Sequence, residues 1–196
     1  MKNSFFIVFM FAISLLALGG CCRPEIIGNV PNGLRPQETS YWCWAATTQM
    51  LAQHLNISVN QCDLANHRFN QNNCCNAQNP GTSCPKTVDC NRPGGLELDF
   101  AGVAFSETGT ALSFDALKKQ IFCSKKPMGY AYGTSGLVGH VLIIKGYVTV
   151  AGTSYVVLND PWNPCTGQER LITYAEYQDP SGTSTHWNTW YNIEKK

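Results

Sequence analysis

Ten cysteines in 196 residues are the feature of this sequence that most restricts its fold. They follow a basic start at Lys2 and an apolar run over residues 5–18, the layout of a secretory signal. Exported chains reach an oxidising compartment, in which cysteines pair. We therefore predict a signal peptide over residues 1–20 and a domain held by several disulfides. The apolar run is shorter than the roughly 20 residues that span a bilayer, so no permanent membrane helix is expected.

The residues around Cys21 predict where the mature chain begins. Leu18-Gly19-Gly20-Cys21 resembles a bacterial lipobox, in which the cysteine becomes the lipidated first residue. Ordinary secretion with cleavage nearby is the alternative. Residues 21–34 are rich in Pro, Gly and Asn and are predicted to form a tether and lead-in to one domain over residues 35–196. The expected location is the cell envelope, as an outer-membrane or surface lipoprotein in contact with the membrane through its lipid, or the secreted fraction.

The charge balance excludes one class of partner. Loss of residues 1–20 removes Lys2 and no acid, which leaves 13 of the 14 basic residues against 13 acidic ones. Nucleic-acid binders carry a basic excess, and this chain has none, so we expect no nucleic-acid partner. The 44% hydrophobic fraction suffices for one packed core, and we expect a monomer without a cofactor.

The stretch from Gln37 to Thr47 carries the first candidate for chemistry. Cys43 lies between two tryptophans, directly before a helix predicted over residues 45–55. A helix that begins at a cysteine directs its free N–H groups and positive dipole end at the sulfur and favours the thiolate. Gln37 lies six residues upstream, where its amide could donate to a developing oxyanion. The alternative is that Cys43 is half of a disulfide.

The remaining cysteines are interpreted as structural. If Cys21 is lipidated and Cys43 is free, eight are left as disulfide candidates, an even number with 105 possible pairings. They are Cys22, Cys62, Cys74, Cys75, Cys84, Cys90, Cys123 and Cys165. A zinc site built from Cys74, Cys75, Cys84 and Cys90 is the alternative. The Cys-x-x-Cys spacing of structural zinc sites is absent there, so disulfides are favoured and no metal is expected.

The pattern of the second half indicates an α+β fold. A helix is predicted over residues 113–122 with Ser113 as its N-cap, after a weak helix or extended segment at residues 96–105. The segment between Cys62 and Gly95 is expected to be irregular. Five strands are predicted over residues 127–132, 139–150, 153–159, 168–174 and 185–193. Helices early and antiparallel strands late are typical of the α+β class.

His140 is the histidine with a candidate partner. It opens a predicted strand, and the hairpin turn at Ala151-Gly152 returns the chain so that Asp160 falls beside it. A carboxylate that hydrogen-bonds to an imidazole fixes its tautomer and stabilises the imidazolium. His54, His67 and His186 are interpreted as structural, because no partner for chemistry is evident near them.

These residues resemble the papain-like cysteine peptidases, most closely their bacterial branch of avirulence effector proteases and bacteriocin-processing transporter peptidase domains. The resemblance is carried by Gln37, Cys43-Trp44-Ala45, His140 and Asp160-Pro161-Trp162. It implies a papain-like fold, with an N-terminal helical part that carries the nucleophile packed on a C-terminal antiparallel sheet.

The resemblance also implies a role for each matched residue. Cys43 would be the nucleophile and His140 the general base. Asp160 would be the third member, with Asn159 beside it as an alternative. Gln37 would be the oxyanion donor, and Trp162 would shield the His–Asp pair from water. The implied function is an exported cysteine endopeptidase acting on polypeptides. The alternatives are an amine acyltransferase with the same triad and an inactive, disulfide-stapled surface binding protein.

Overall fold

A computed structural model of the chain describes residues 22–75, 90–133, 139–180, 182 and 184–196. The predicted signal peptide, Cys21 and Cys84 therefore lie outside the described residues. Among the residues that are described, no helix is long and apolar enough to cross a membrane.

The helices occupy the first half of the chain and two short segments of the second. Helix α1 spans Cys43–His54, and α2 spans Gln61–Phe69. Helix α3 (Phe114–Lys118) continues into a π-helical turn over Lys119–Cys123, and α4 spans Tyr174–Gln178. Ser113 caps α3 as predicted, since its side chain accepts a hydrogen bond from the backbone N–H of Ala116.

The strands form one antiparallel sheet. They are β1 (Ile27–Asn29), β2 (Val103–Thr108), β3 (Met128–Gly133), β4 (His140–Val150), β5 (Thr153–Asp160), β6 (Gln168–Thr173) and β7 (Thr185–Lys195). Their order is β2-β7-β3-β4-β5-β6, and β1 pairs with β4. Ala151 and Gly152 both have positive φ, 48° and 81°, and join β4 to β5 in the two-residue turn that matches strand twist. The predicted α+β class is confirmed.

Two hydrophobic clusters cover the two faces of the sheet. On one face, α1 and α2 bury large side chains such as Trp44, Met50 and Leu64 against Ile143 of β4. On the other face, α3, the π-helical turn and α4 cover Leu142, Ile144 and neighbouring aromatic residues. Helix α1 is buried along most of its length, and Thr47 donates a hydrogen bond to the Val141 carbonyl oxygen at 3.0 Å. The start of α1 is thereby fixed against the start of β4.

One prediction about local structure was wrong, and two extended segments differ from the sequence reading in their bounds or role. Helix α2 lies inside the segment that was expected to be irregular. Asn60 caps it by accepting from the Asp63 N–H, and Asn70 ends it in the left-handed conformation, so its caps compensate for a short apolar stripe. Strand β2 begins at Val103 and extends beyond the weak segment predicted over residues 96–105. The lead-in also contributes to the sheet, because Ile27–Asn29 pairs with β4.

Disulfides connect the segments that have little core of their own. Cys22 is bonded to Cys123, Cys62 to Cys75, and Cys74 to Cys90. Cys165 is disulfide-bonded as well. The sulfurs of Cys74, Cys75 and Cys90 are therefore unavailable to zinc. These bonds fit an oxidising environment.

Candidate active site

Cys43 lies at the first residue of α1, at the base of a cleft between the helical part and the sheet. Trp42 is the N-cap, so the first backbone N–H groups of the helix are directed towards the Cys43 end. Cys43 is free, is 8% exposed as a residue, and packs against Ala131 of β3 and Val141 of β4. The alternative in which Cys43 forms a disulfide does not occur in the structure.

His140 is the first residue of β4 and faces Cys43 across the cleft. Its Nε2 nitrogen lies 2.6 Å from Oδ1 of Asp160. Burial lowers the pKa of His140, but hydrogen bonds and charge interactions with Asp160 and Cys43 outweigh it and raise the pKa to about 9. The imidazolium is therefore the stable form at neutral pH when it lies between a carboxylate and a sulfur.

Asp160 is the last residue of β5, and its side chain is 2% exposed. Besides His140, it accepts from the Trp162 backbone N–H at 3.0 Å and from Nη1 of Arg170 at 2.8 Å. Burial raises the pKa of Asp160, but the hydrogen bonds and the charges of its partners outweigh burial and lower it. A carboxylate this buried is kept ionised by its neighbours.

The neighbouring Asn159, the alternative third member, lies on the opposite face of β5. Successive side chains of a strand point to opposite faces. Asn159 accordingly donates to the Asn32 carbonyl oxygen at 2.8 Å, away from His140. Its contact is structural, and it fixes the lead-in segment to the sheet.

Gln37 lies at the same cleft as Cys43 and His140 and is fully buried. Its backbone N–H donates to the Pro161 carbonyl oxygen. Its Nε2 nitrogen donates to the carbonyl oxygens of Thr39 and Ser40, both at 2.8 Å, and Oε1 has no hydrogen-bond partner among the described residues. In this conformation the amide holds the turn that leads into α1, and its N–H groups are engaged by the backbone.

The cleft has two lobes that meet at Cys43. The apolar lobe, about 490 Å³, is lined by side chains that include Trp44, Leu96 and Trp187, and by Gly94 and Gly95. The polar lobe, about 370 Å³, contains Gln37, His140, Asp160, Trp162 and Arg170. Trp162 is 43% exposed on the wall of the polar lobe. An extended polypeptide laid across Cys43 would contact both lobes.

The other histidines lie elsewhere. His186 of β7 contacts the Tyr177 carbonyl oxygen and the Thr189 hydroxyl group, each at 2.9 Å. His67 pairs with Glu97 at 2.6 Å, a partner that the sequence did not reveal. His54 ends α1, and burial lowers its pKa. Neither cleft lobe is lined by any of them.

Sequence reasoning missed Arg170 and Tyr132. The guanidinium of Arg170 binds the second oxygen of Asp160, and Arg170 also hydrogen-bonds to Tyr132. The Tyr132 ring contacts the His140 ring edge-on, with centroids 5.9 Å apart. The signal for Arg170 was a cation on the strand predicted over residues 168–174, but the sequence showed neither the partner of that strand nor its register.

A model of the Peptidase C39 like family matches residues 29–195. The structure also resembles one from a study of antibody cross-reactivity between the mite allergens Blo t 1 and Der p 1. The TM-score is 0.53 with 12% identity, over 89% of this chain and 73% of that chain. Digestive procathepsin L 3 of the Tenebrio molitor larval midgut matches with a TM-score of 0.49 and 10% identity, over 86% and 71%. No curated protein sequence matches the chain.

Proposed function

Because the chain belongs to the Peptidase C39 like family and has the papain-like fold of a cysteine peptidase, we propose that it is an exported endopeptidase with a Cys43–His140–Asp160 triad. The observation that carries this proposal is the line of side chains across the cleft. A free thiol at a helix start faces an imidazole that is held from behind by a buried carboxylate. This is the arrangement that activates a sulfur nucleophile.

In the proposed reaction the Cys43 thiolate attacks the peptide carbonyl carbon while His140 is an imidazolium. The C–N bond breaks as His140 gives its proton to the leaving amine, and the acyl group remains on sulfur as a thioester. Neutral His140 then takes a proton from water, whose oxygen attacks the thioester. The acid product leaves, and the thiolate–imidazolium pair is restored.

The tetrahedral intermediate needs hydrogen-bond donors for its oxyanion. The backbone N–H of Cys43 lies at the start of α1, where helix N–H groups have no intrahelical partner. Gln37 is the proposed second donor, since it lines the cleft beside Cys43. To serve, its amide would turn one N–H from the carbonyl oxygen of Thr39 or Ser40 towards the substrate oxygen. Trp162 would limit the access of water to the His–Asp pair.

Export is part of the same proposal. The three described disulfides and the disulfide-bonded Cys165 support maturation in an oxidising compartment. With Cys21 as a lipidated first residue, the chain would sit directly at the membrane surface, because Cys22 is already bonded to Cys123. The mass of the N-terminal peptide, with or without a diacylglyceryl thioether, distinguishes anchoring from free secretion.

The test of function is hydrolysis of an unfolded protein by the purified chain with its disulfides intact. The Cys43→Ala variant should lose all cleavage and the iodoacetamide label on the peptide that contains residue 43, with an unchanged thermal unfolding midpoint. Cleavage that persists in this variant would overturn the assignment of Cys43. An added amine distinguishes hydrolysis from acyl transfer, since a transferase would form the amide product.

A further inference from the structure

We infer that Arg170 is a positioning residue for the peptidase reaction and acts on His140 through Asp160. This inference rests on the proposed function, because it assigns Arg170 a part in the same site. It concerns the second carboxylate oxygen of Asp160, which His140 does not use.

The two oxygens of Asp160 are used by different partners. Oδ1 accepts from His140 at 2.6 Å and from the Trp162 backbone N–H at 3.0 Å. Oδ2 accepts from Nη1 of Arg170 at 2.8 Å. Rotation of the carboxylate would break both sets of hydrogen bonds together. Arg170 therefore fixes the plane in which Oδ1 meets the imidazole.

Neighbouring strands bring these side chains together. In the β5–β6 pairing Leu158 is opposite Arg170 and Asp160 is opposite Gln168, so Arg170 and Asp160 are diagonal neighbours. Tyr132 of β3 is directly opposite His140 of β4. Since Arg170 also hydrogen-bonds to Tyr132, the four side chains form a closed ring over four strands.

The ring also has an electrostatic role, because the charge on His140 changes during the proposed reaction. His140 is charged when it pairs with the thiolate and neutral after it protonates the leaving amine, while Asp160 stays buried throughout. A buried carboxylate without a cationic partner is costly. Arg170 keeps its charge at every pH that an enzyme meets, so it compensates Asp160 at each stage.

Other charged or titratable groups of the described residues lie near the ring, and Tyr130 of β3 interacts with both Tyr132 and Arg170. Cys43 of α1 and His140 of β4 face each other on the substrate side. Glu176 of α4 lines a small pocket of about 110 Å³ behind Arg170 and Tyr132. Asp160 is the carboxylate that contacts His140, and Arg170 is its permanently charged partner.

The experiment compares Arg170→Gln with Arg170→Lys, and uses Lys145→Met as the matched control. Lys145 is a cation of the same sheet that pairs with Glu169, the residue before Arg170. The Gln side chain keeps a hydrogen-bond donor but carries no charge. The Lys side chain keeps the positive charge but lacks the planar guanidinium group. We expect Arg170→Gln to lower kcat roughly tenfold and to leave KM nearly unchanged. A tenfold decrease in rate corresponds to part of the energy of one charge-assisted hydrogen bond. Arg170→Lys should recover a large part of that loss, and Lys145→Met should match the wild type.

A second measurement separates positioning from a general loss of structure. In an Asp160→Asn background, Arg170→Gln should cause no further decrease in kcat, because the two act in series. An equal loss in both backgrounds would overturn the inference. So would a rise in KM with unchanged kcat, which would make Arg170 a substrate contact, and so would wild-type kcat in Arg170→Gln.

A readout that needs no peptidase activity separates this inference from the proposed function. The rate of Cys43 alkylation by iodoacetamide is measured against pH. We expect Arg170→Gln to shift this profile and Lys145→Met to leave it in place. If the wild type hydrolyses no protein, the proposed function fails, and the alkylation profile still decides the role of Arg170. If Arg170→Gln does not fold, the profile is measured for Arg170→Met, which also removes the charge, and a wild-type profile in that variant overturns the inference.

Discussion

His140 meets Asp160 through its Nε2 nitrogen, 2.6 Å from Oδ1, and this leaves Nδ1 for the sulfur of Cys43. The hairpin β4–β5 produces this relationship, since its tight turn places the end of β5 beside the start of β4. The cysteine comes from a different part of the chain, the buried start of α1. Chemistry at Cys43 therefore depends on how α1 packs against β4.

The first prediction concerns the upper pH limit of activity. Hydrogen bonds and charge interactions with Asp160 and Cys43 raise the pKa of His140 to about 9 against the lowering effect of burial. The imidazolium needed for the reaction should be lost as pH rises through about 9, and kcat/KM should fall there. Asp160→Asn removes a raising contribution and should move this limit to lower pH, with kcat down roughly 10²-fold.

Asn159→Ala is the matched control for that variant, since Asn159 is adjacent in sequence but contacts Asn32. It should lower stability and leave the pH limit in place. An unmoved limit in Asp160→Asn would contradict the assignment of Asp160.

The same pKa predicts that the contribution of His140 to stability is fully present below its unfolded pKa of 6.5. That contribution is lost as pH rises through about 9.

The second prediction concerns Gln37 as an oxyanion donor. Gln37→Ala should lower kcat by roughly 10²-fold, the loss typical of one such donor. Gln61 offers a matched control, because it is also buried and its amide donates to the Pro36 carbonyl oxygen of the same loop. Gln61→Ala should lower the unfolding midpoint but not kcat. Equal kcat losses in the two variants would show that Gln37 acts only by holding the loop.

The third prediction compares two adjacent glycines in the wall of the apolar lobe. A Cβ at Gly94 would lie 2.7 Å from the indole of Trp44, whereas a Cβ at Gly95 would meet its nearest atom, on Arg68, at 3.7 Å. Gly94→Ala should destabilise the fold by about 1–3 kcal/mol, since a fully buried Trp44 has no room to move. Gly95→Ala should be close to neutral. Urea unfolding measures both, and equal stabilities would contradict the close packing of Gly94 on Trp44.

The fourth prediction concerns the disulfide between Cys22 and Cys123, which encloses a sequence separation of 101 residues. Replacing both cysteines by serine should lower the free energy of unfolding by about 2–5 kcal/mol, because the unfolded chain gains freedom. Catalysis by the folded fraction should be unaffected, as neither residue lines the cleft lobes. A loss of kcat at full folding would show that this bond also shapes the site.

The parts of the site that local sequence determines were predictable. Turn-formers before Cys43 and helix-formers after it predict the helix start, and the Ala151-Gly152 turn determines that Asp160 returns to His140. The papain-like fold predicted from these residues is confirmed by the family match and the structural similarity. The roles of the individual site residues stay predictions.

Other parts depend on registers and contacts that the sequence does not specify. Arg170 reaches Asp160 only through the β5–β6 register, which a longer connection over residues 161–167 leaves open. Tyr132 contacts His140 because β3 pairs with β4, and the sequence does not show which of the predicted strands pair with each other. Helix α2 was missed since its buried stripe comprises only Gln61, Leu64 and Ala65.

The most direct test of the central claim is peptide mapping by mass spectrometry after treatment with a peptidyl vinyl sulfone, which accepts a thiolate. The oxidised protein should gain one adduct, located on Cys43, at a rate that falls strongly in His140→Asn. His67→Asn should react like the wild type. An adduct on another residue, or hydrolytic activity that survives complete modification of Cys43, would contradict the account.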